Sequence, residues 1–351
     1  TNGSWYIAWG AGGVTNGIVV TNGGRMFCSG SSLMCTNLCT NNFIVISGAN
    51  SLWDNGAGDL TIAGGGTSTL NGVTINAGGM MTNVATLNLA TPWATGSSNN
   101  YVTVDGGVLQ AAALTCSNDA PNTVTLNGAC LVTLARLILT NAGQTVTFSG
   151  GTLNLRNSLL SNGAPFVVGD GTQSATLNIL LGGTNVFRDG LGITNNGTLA
   201  GTGLIQATTT VHGTLSPGTA GVGAITNSGD LTLTNGSIST IELAAYTTPG
   251  AGWDYVFVTN GTLTLGGTLR PQLSGGFVPA TNNSQSYLIM TNSQALSGVF
   301  ANAGDGGSVA VYTNATGSAL GTFRVNITSQ SVVLDNFQRF AVVPGSLYFF
   351  H

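Results

Sequence analysis

The clearest hydrophobic pattern in this chain lies in three segments that share one register. They are Val102-Thr103-Val104-Asp105-Gly106-Gly107, Val124-Thr125-Leu126-Asn127-Gly128-Ala129 and Val146-Thr147-Phe148-Ser149-Gly150-Gly151, each 22 residues after the last. Period-two alternation puts Val102, Val104, Val124, Leu126, Val146 and Phe148 on an inner face and Thr103, Thr125 and Thr147 on an outer one. After each glycine corner a second apolar stretch follows, at residues 108–114, 130–137 and 152–160. Strand, corner, strand and polar return at a short fixed period predict a solenoid. One such unit cannot bury its own apolar face, so it must stack on its neighbours. The expected fold is all-β: a single-stranded parallel β-helix.

The pattern extends in both directions. Regular strands are expected from Phe43-Ile44-Val45-Ile46 onward, through Leu60-Thr61-Ile62 and Val73-Thr74-Ile75. Residues 91–100 stretch one repeat to 29 residues and read as a surface loop. After Phe166-Val167-Val168 the period loosens, while strand–glycine punctuation continues through Leu263-Thr264-Leu265. About fifteen Thr-Asn dipeptides mark strand ends, where asparagine tolerates left-handed backbone and can stack on its equivalent in the next coil. At ~20–25 residues per coil the chain makes about 12–15 coils, a rod roughly 60–70 Å long. Three regions are expected: an irregular cap or assembly segment at 1–43, the solenoid at 44–336, and an apolar C-terminal assembly tail at 337–351.

Composition changes this picture in one respect. Only 5% of the 351 residues are charged and the net charge is −4, so the surface must be carried by Thr, Asn, Ser and Gly. Nucleic acid is excluded as a partner, because it requires clustered cations. No apolar run is long enough for a membrane-spanning helix. No secretory leader is present, so a secreted chain has already lost its signal peptide. A 42% hydrophobic content argues against disorder.

Residues 194–300 resemble a known sequence style. The run Asn196-Gly197-Thr198-Leu199-Ala200-Gly201-Thr202-Gly203-Leu204-Ile205 is similar to the autotransporter-associated β-strand repeats of bacterial surface proteins. So are Gly213-Thr214-Leu215-Ser216-Pro217-Gly218 and Asn260-Gly261-Thr262-Leu263-Thr264-Leu265-Gly266-Gly267-Thr268-Leu269. The resemblance implies a right-handed parallel β-helix, secretion and exposure at the bacterial cell surface. The family's C-terminal membrane barrel does not follow, so export through a barrel of its own is not expected.

Candidate chemistry is sparse. Ten aspartates and Glu242 are spread along the chain, with Asp54/Asp59 and Arg188-Asp189 the closest pairs. The first pair sits in a Gly-rich turn, and the second reads as a local ion pair. Glu242 alternates outward beside Thr240 and reads as solvated. His212-Gly213 is a weak echo of a sugar-hydrolase dipeptide without partners. A threonine column such as ice-binding solenoids carry is visible over three coils only, and β-propensity explains it. Polysaccharide enzymes on this fold need clustered carboxylates, so no catalytic residue, cofactor or metal is expected. Among Cys28, Cys35 and Cys39 one disulfide is expected. Cys116 and Cys130 read as buried small hydrophobes, because Cys130 should stack over Val108, roughly 25 Å along the strand from Cys116.

The expected function is that of a secreted structural protein, a solenoid subunit polymerising head to tail into an extracellular filament or surface layer. A surface adhesin binding glycans is the alternative, and a polysaccharide lyase or hydrolase the third reading. The assembly reading rests on two apolar termini: Trp5, Tyr6, Ile7 and Trp9 at one end, and Phe340, Val342, Val343, Leu347, Tyr348, Phe349 and Phe350 at the other. Each terminus either plugs its own end of the solenoid or joins the next subunit.

Overall fold

A computed structural model describes residues 6–8, 12–281, 285–313 and 317–340. The described residues form strands and turns and contain no helix. The strands stack as three parallel faces of a β-helix. Face one holds twelve strands in chain order, from Gly17–Val20 to Leu296–Gly298. Face two runs from Arg25–Phe27 to Ser308–Tyr312, and face three from Ser32–Leu33 to Tyr287–Asn292. Four long strands, Gly79–Ala90, Val108–Cys116, Leu131–Leu139 and Gly151–Leu160, continue through the corner between faces two and three.

Twelve strands on one face match the expected coil number, and the register is the expected one where the sequence was clearest. Val102 pairs with Val124 and Val104 with Leu126, then Val124 with Val146 and Leu126 with Phe148. Thr74, Thr103, Thr125 and Thr147 line up outside. Five of the six expected core residues are buried. Val146 is only half-buried, because the next strand starts at Phe166 and meets this one only at Phe148–Val168. On face two the inner column Trp53, Met81, Leu109, Val132, Leu153, Leu177, Leu199, Leu215 runs unbroken. Burying each such side chain contributes roughly 1.5–3 kcal/mol.

Beside face one a second column is polar and, beyond its exposed first member Asn16, buried. Asn16, Asn42, Asn71, Asn100 and Asn122 occupy equivalent turns of five coils. From Asn42 to Asn122, each of the four Oδ1 atoms accepts both the backbone N–H and the Nδ2 of the asparagine on its N-terminal side, at 2.8–3.1 Å. The turn residue before four of these rungs (Thr15, Asn41, Leu70 or Asn99) is in the left-handed region. The Thr-Asn richness of the sequence therefore serves the interior as well as the turns.

Three expectations are corrected. The irregular segment expected up to residue 43 is already coiled from residue 17, where Gly17–Val20 pairs in parallel with Phe43–Ile46. Cys130 is an extra residue in its corner, so Leu131, not Cys130, pairs with Val108, and Cys130 lies beside the 107 turn. At the far end the coil stops. Ser308–Tyr312, the last strand of face two, is joined through Ala319–Ile327 and Ser331–Arg339 in an antiparallel meander to Tyr287–Asn292, the last strand of face three, so residues 337–339 belong to it and not to a tail.

Candidate functional site

The two ends of the coil differ in kind. At the N-terminal end the first strand of face one, Gly17–Val20, has no partner on its outer side among the described residues. Phe43 N–H donates to Asn16 O, and Ser47 N–H to Val20 O. Because backbone groups alternate sides along a strand, Gly17 and Val19 point theirs outward. Val14 and Val19 are 57% and 58% exposed. The asparagine column ends here too: Asn16 donates to Asn42, and its own Oδ1 receives no donor among the described residues. Unpaired strand edges of this kind are templates for added strands.

At the C-terminal end the meander covers the core. Phe337 is buried in an aromatic chain with Phe323 and Tyr287, ring centroids 5.2 and 5.6 Å apart, which continues to Trp253 and the half-exposed Tyr246. The turn of the meander also reaches the last strand of face one, with Leu296 N–H donating to Ser329 O. The meander thus joins the ends of faces two and three, while Leu296–Gly298 remains the end strand of face one.

Of the terminal residues expected to mediate assembly, Tyr6 is exposed and bridges Leu33, Ile7 is buried, and Phe340 is 49% exposed where the meander ends. Trp5, Trp9, Val342, Val343, Leu347, Tyr348, Phe349 and Phe350 lie outside the described residues.

Titratable groups converge at one place that the sequence did not reveal. Glu242, on the face-two strand Ile238–Leu243, is half-buried, and Asp254 is fully buried. After Leu243 the chain makes an excursion and returns at Trp253, which bridges Leu243 and sends its indole N–H to Leu288 O. That return carries Asp254 back beneath Glu242. Its Oδ1 accepts Gly223 N–H and its Oδ2 accepts Glu242 N–H, both at 2.8 Å. Burial pushes the Asp254 carboxyl up to about 8 against the pull of these two bonds, and the Glu242 charge adds to the rise. Burial also raises Glu242, correcting the expectation of a solvated side chain. On the neighbouring strand the Arg270 guanidinium lies 4.9 Å from the Tyr312 ring centroid. With both oxygens held by backbone donors and no exposure, Asp254 acts as a clamp joining two coils. It has no open face toward a substrate.

Elsewhere the acids serve turns. Asp54 accepts Gly56 N–H and the Asn83 amide. Asp189 accepts Gly163 N–H and makes no ion pair with Arg188; the one salt bridge among the described residues is Arg324–Asp335, 2.8 Å. His212 Nδ1 lies 3.2 Å from Thr234 Oγ1 on the surface. Among the described residues no group of three or more His, Cys, Asp or Glu side chains could hold a metal, and no helix is long and apolar enough to cross a membrane. Cys35 and Cys39 form the disulfide, while Cys28, Cys116 and Cys130 are buried thiols. An open cleft of about 500 Å³, at the corner of faces two and three, is lined by Ala57, Ala85, Ala112 and Ala135 with Asn83 and Gln110, and holds no titratable group.

No protein-family model matches the chain, and no curated protein matches it. Among solved structures, the crystal structure of the TibC-catalysed hyper-glycosylated TibA fragment 55–350 is similar at 15% identity. The match covers 77% of this chain and 90% of that one, with a TM-score of 0.27. A superposition that loose carries no argument, and the β-helix assignment rests on the strand pairing itself.

Proposed function

We propose that the protein is a non-catalytic structural rod of the extracellular surface that associates head to tail. The observation behind this reading is that face one ends in a strand paired on one side only at both ends among the described residues, Gly17–Val20 and Leu296–Gly298. The Cys35–Cys39 disulfide fits an oxidising, extracytoplasmic compartment. A surface almost without charge offers little electrostatic resistance to packing. The engaged, inward-facing Asp254 speaks against the polysaccharide-enzyme reading. Sedimentation velocity over a hundredfold concentration range, with negative-stain microscopy, tests the assembly. Growing species and uniform threads are expected, and a monomer at every concentration would refute it.

A glycan-binding adhesin is the second reading, favoured by Trp93, which is 82% exposed in the 91–99 loop. Such an indole offers a flat apolar face to a sugar ring. Loss of binding on a glycan array upon Trp93→Ala is the result expected there.

A further inference from the structure

The stacking of face one slips between Gln144–Phe148 and Phe166–Val168, and a cleft opens there. Gln144–Phe148 pairs along its whole length with residues 122–126 but meets the following strand only at Phe148–Val168. The loop that leads into Phe166 leans toward the coil after it. Gly163 N–H donates to Asp189 Oδ2 and Phe166 N–H to Gly190 O, both at 2.9 Å. Pro165 has no N–H to offer the coil before it. The space left is about 330 Å³, lined in part by Thr145, Val146, Thr147, Leu160, Asn162 and Phe166.

Its chemistry is specific. Leu160 and Phe166 are buried and Val146 half-buried, so the floor is apolar, and the Phe166 ring is held between Phe148 and Phe187, centroids 6.3 and 5.3 Å away. Asn162 is only 9% exposed. Its Nδ2 donates to Gln144 O at 2.7 Å, while its Oδ1 makes no hydrogen bond among the described residues. Buried acceptors of this kind are normally satisfied. The backbone supplies a second polar group. Phe148 O accepts Gly169 N–H and Gln144 O accepts the Asn162 amide, so Val146, alternating with neither, faces the same side and has no paired residue there. No ionisable side chain lines the cleft.

We propose that this cleft binds the acetamido group of an N-acetylated sugar. The amide N–H donates to Asn162 Oδ1, the methyl group rests on Val146 and Phe166, and Val146 N–H is the donor available to the carbonyl. A polypeptide cannot pass through, because the cleft is closed at both ends, by the Phe148–Val168 pairing and by the bond from Asn162 to Gln144. A pendant group can enter from the side, with its sugar ring against the exposed Thr145 and Thr147 at the rim. The neutral lining suits an uncharged amide and gives an amine or a carboxylate no counter-charge. The proposal rests on the glycan-binding reading and names its ligand. Trp93 lies on the same edge of face one, in the loop before Asn100–Asp105, two strands and ~10 Å along the axis at about 4.8 Å per interval.

Calorimetry and saturation-transfer NMR on the full chain test the proposal, with N-acetylglucosamine and N-acetylgalactosamine set against glucose and galactose. An acetylated sugar should bind, its acetyl methyl taking the strongest saturation, and the plain sugars should not. Val146→Phe fills the cleft without removing a hydrogen-bonding side chain and should abolish binding. Asn162→Ala removes the acceptor and should weaken binding about three- to tenfold. Circular dichroism confirms that both variants are folded. Equal binding of plain and acetylated sugars, no binding of either acetylated sugar, or full affinity in folded Val146→Phe overturns the cleft. The glycan-binding reading survives that failure if the array still shows binding that Trp93→Ala removes. An array without any binding overturns both.

Discussion

Replacing Asn71 by alanine tests the internal amide column directly. Asn71 Oδ1 accepts Asn42 N–H at 3.0 Å and Asn42 Nδ2 at 2.8 Å, and its Nδ2 donates to Asn100 Oδ1 at 3.0 Å. Several partners have replacements: Asn42 Nδ2 also reaches Gly13 O and Thr40 O, and Asn100 Oδ1 still receives Asn71 N–H. Asn42 N–H has none, and both residues are fully buried. An orphaned buried donor costs about 1–3 kcal/mol, and each lost bond adds ~0.5–1.5 kcal/mol. Asn71→Ala should therefore destabilise by roughly 2–4 kcal/mol. Asn16→Ala, at the exposed start of the column, should cost under ~1 kcal/mol. Urea unfolding gives the global values, and hydrogen exchange at Asn42 N–H gives the local one. A loss below ~1 kcal/mol for Asn71→Ala, or equal losses at the two positions, would show that the column does not hold these turns.

Other consequences are as direct. Phe148→Ala should cost ~3–5 kcal/mol, while Val146→Ala, half-buried beside an open gap, should cost much less; equal losses would contradict the packing. The folded-state carboxyl of Asp254 lies at about 8, above its ordinary 3.8, so between about pH 4 and 8 the native state keeps a proton the unfolded chain has lost. Stability should therefore fall as pH rises through that window, and Asp254→Asn should flatten the slope; an unchanged slope in the variant would assign it elsewhere. Below pH 4 the lowered carboxyls of Asp170, Asp230 and Asp335 act in the opposite sense, their contribution being lost as they protonate. Burial pushes Cys116 and Cys130 up to about 11, so neither thiol should react with an aromatic disulfide at pH 8 until the protein unfolds. Opening the five-residue Cys35–Cys39 loop by Cys39→Ser should cost about 2 kcal/mol, read from the urea midpoint with and without reductant.

The fold was legible where corners had constant length. Val102, Val124 and Val146 declare a register because equal strands and glycine pairs separate them. The single extra residue at Cys130 shifts the following strand by one, and composition alone does not mark which corner residue is extra. The start of the coil was hidden because Gly17–Val20 is short and flanked by glycine and asparagine. The meander was hidden for a different reason: alternation in Val309-Ala310-Val311 or Val332-Val333-Leu334 reads the same whether a strand runs parallel or antiparallel to its neighbour. Likewise, Glu242 and Asp254 are twelve apart in sequence, and only the return of the chain at Trp253 brings them together.

The difference between the two ends also fixes how the molecule should respond to a mechanical load. Each coil touches only the coils beside it, so tension applied to the termini would peel the rod one coil at a time. The meander binds the last coil of two faces to an antiparallel brace in which strands must shear together. Gly17–Val20 is held by a single neighbour and can be lifted away rung by rung. Unravelling should thus begin at the N-terminal end and advance in one direction. Coils repeating at 22 and 29 residues would release ~70–100 Å of chain per step. An optical-tweezers trace should show a staircase with those increments, and the meander should yield last.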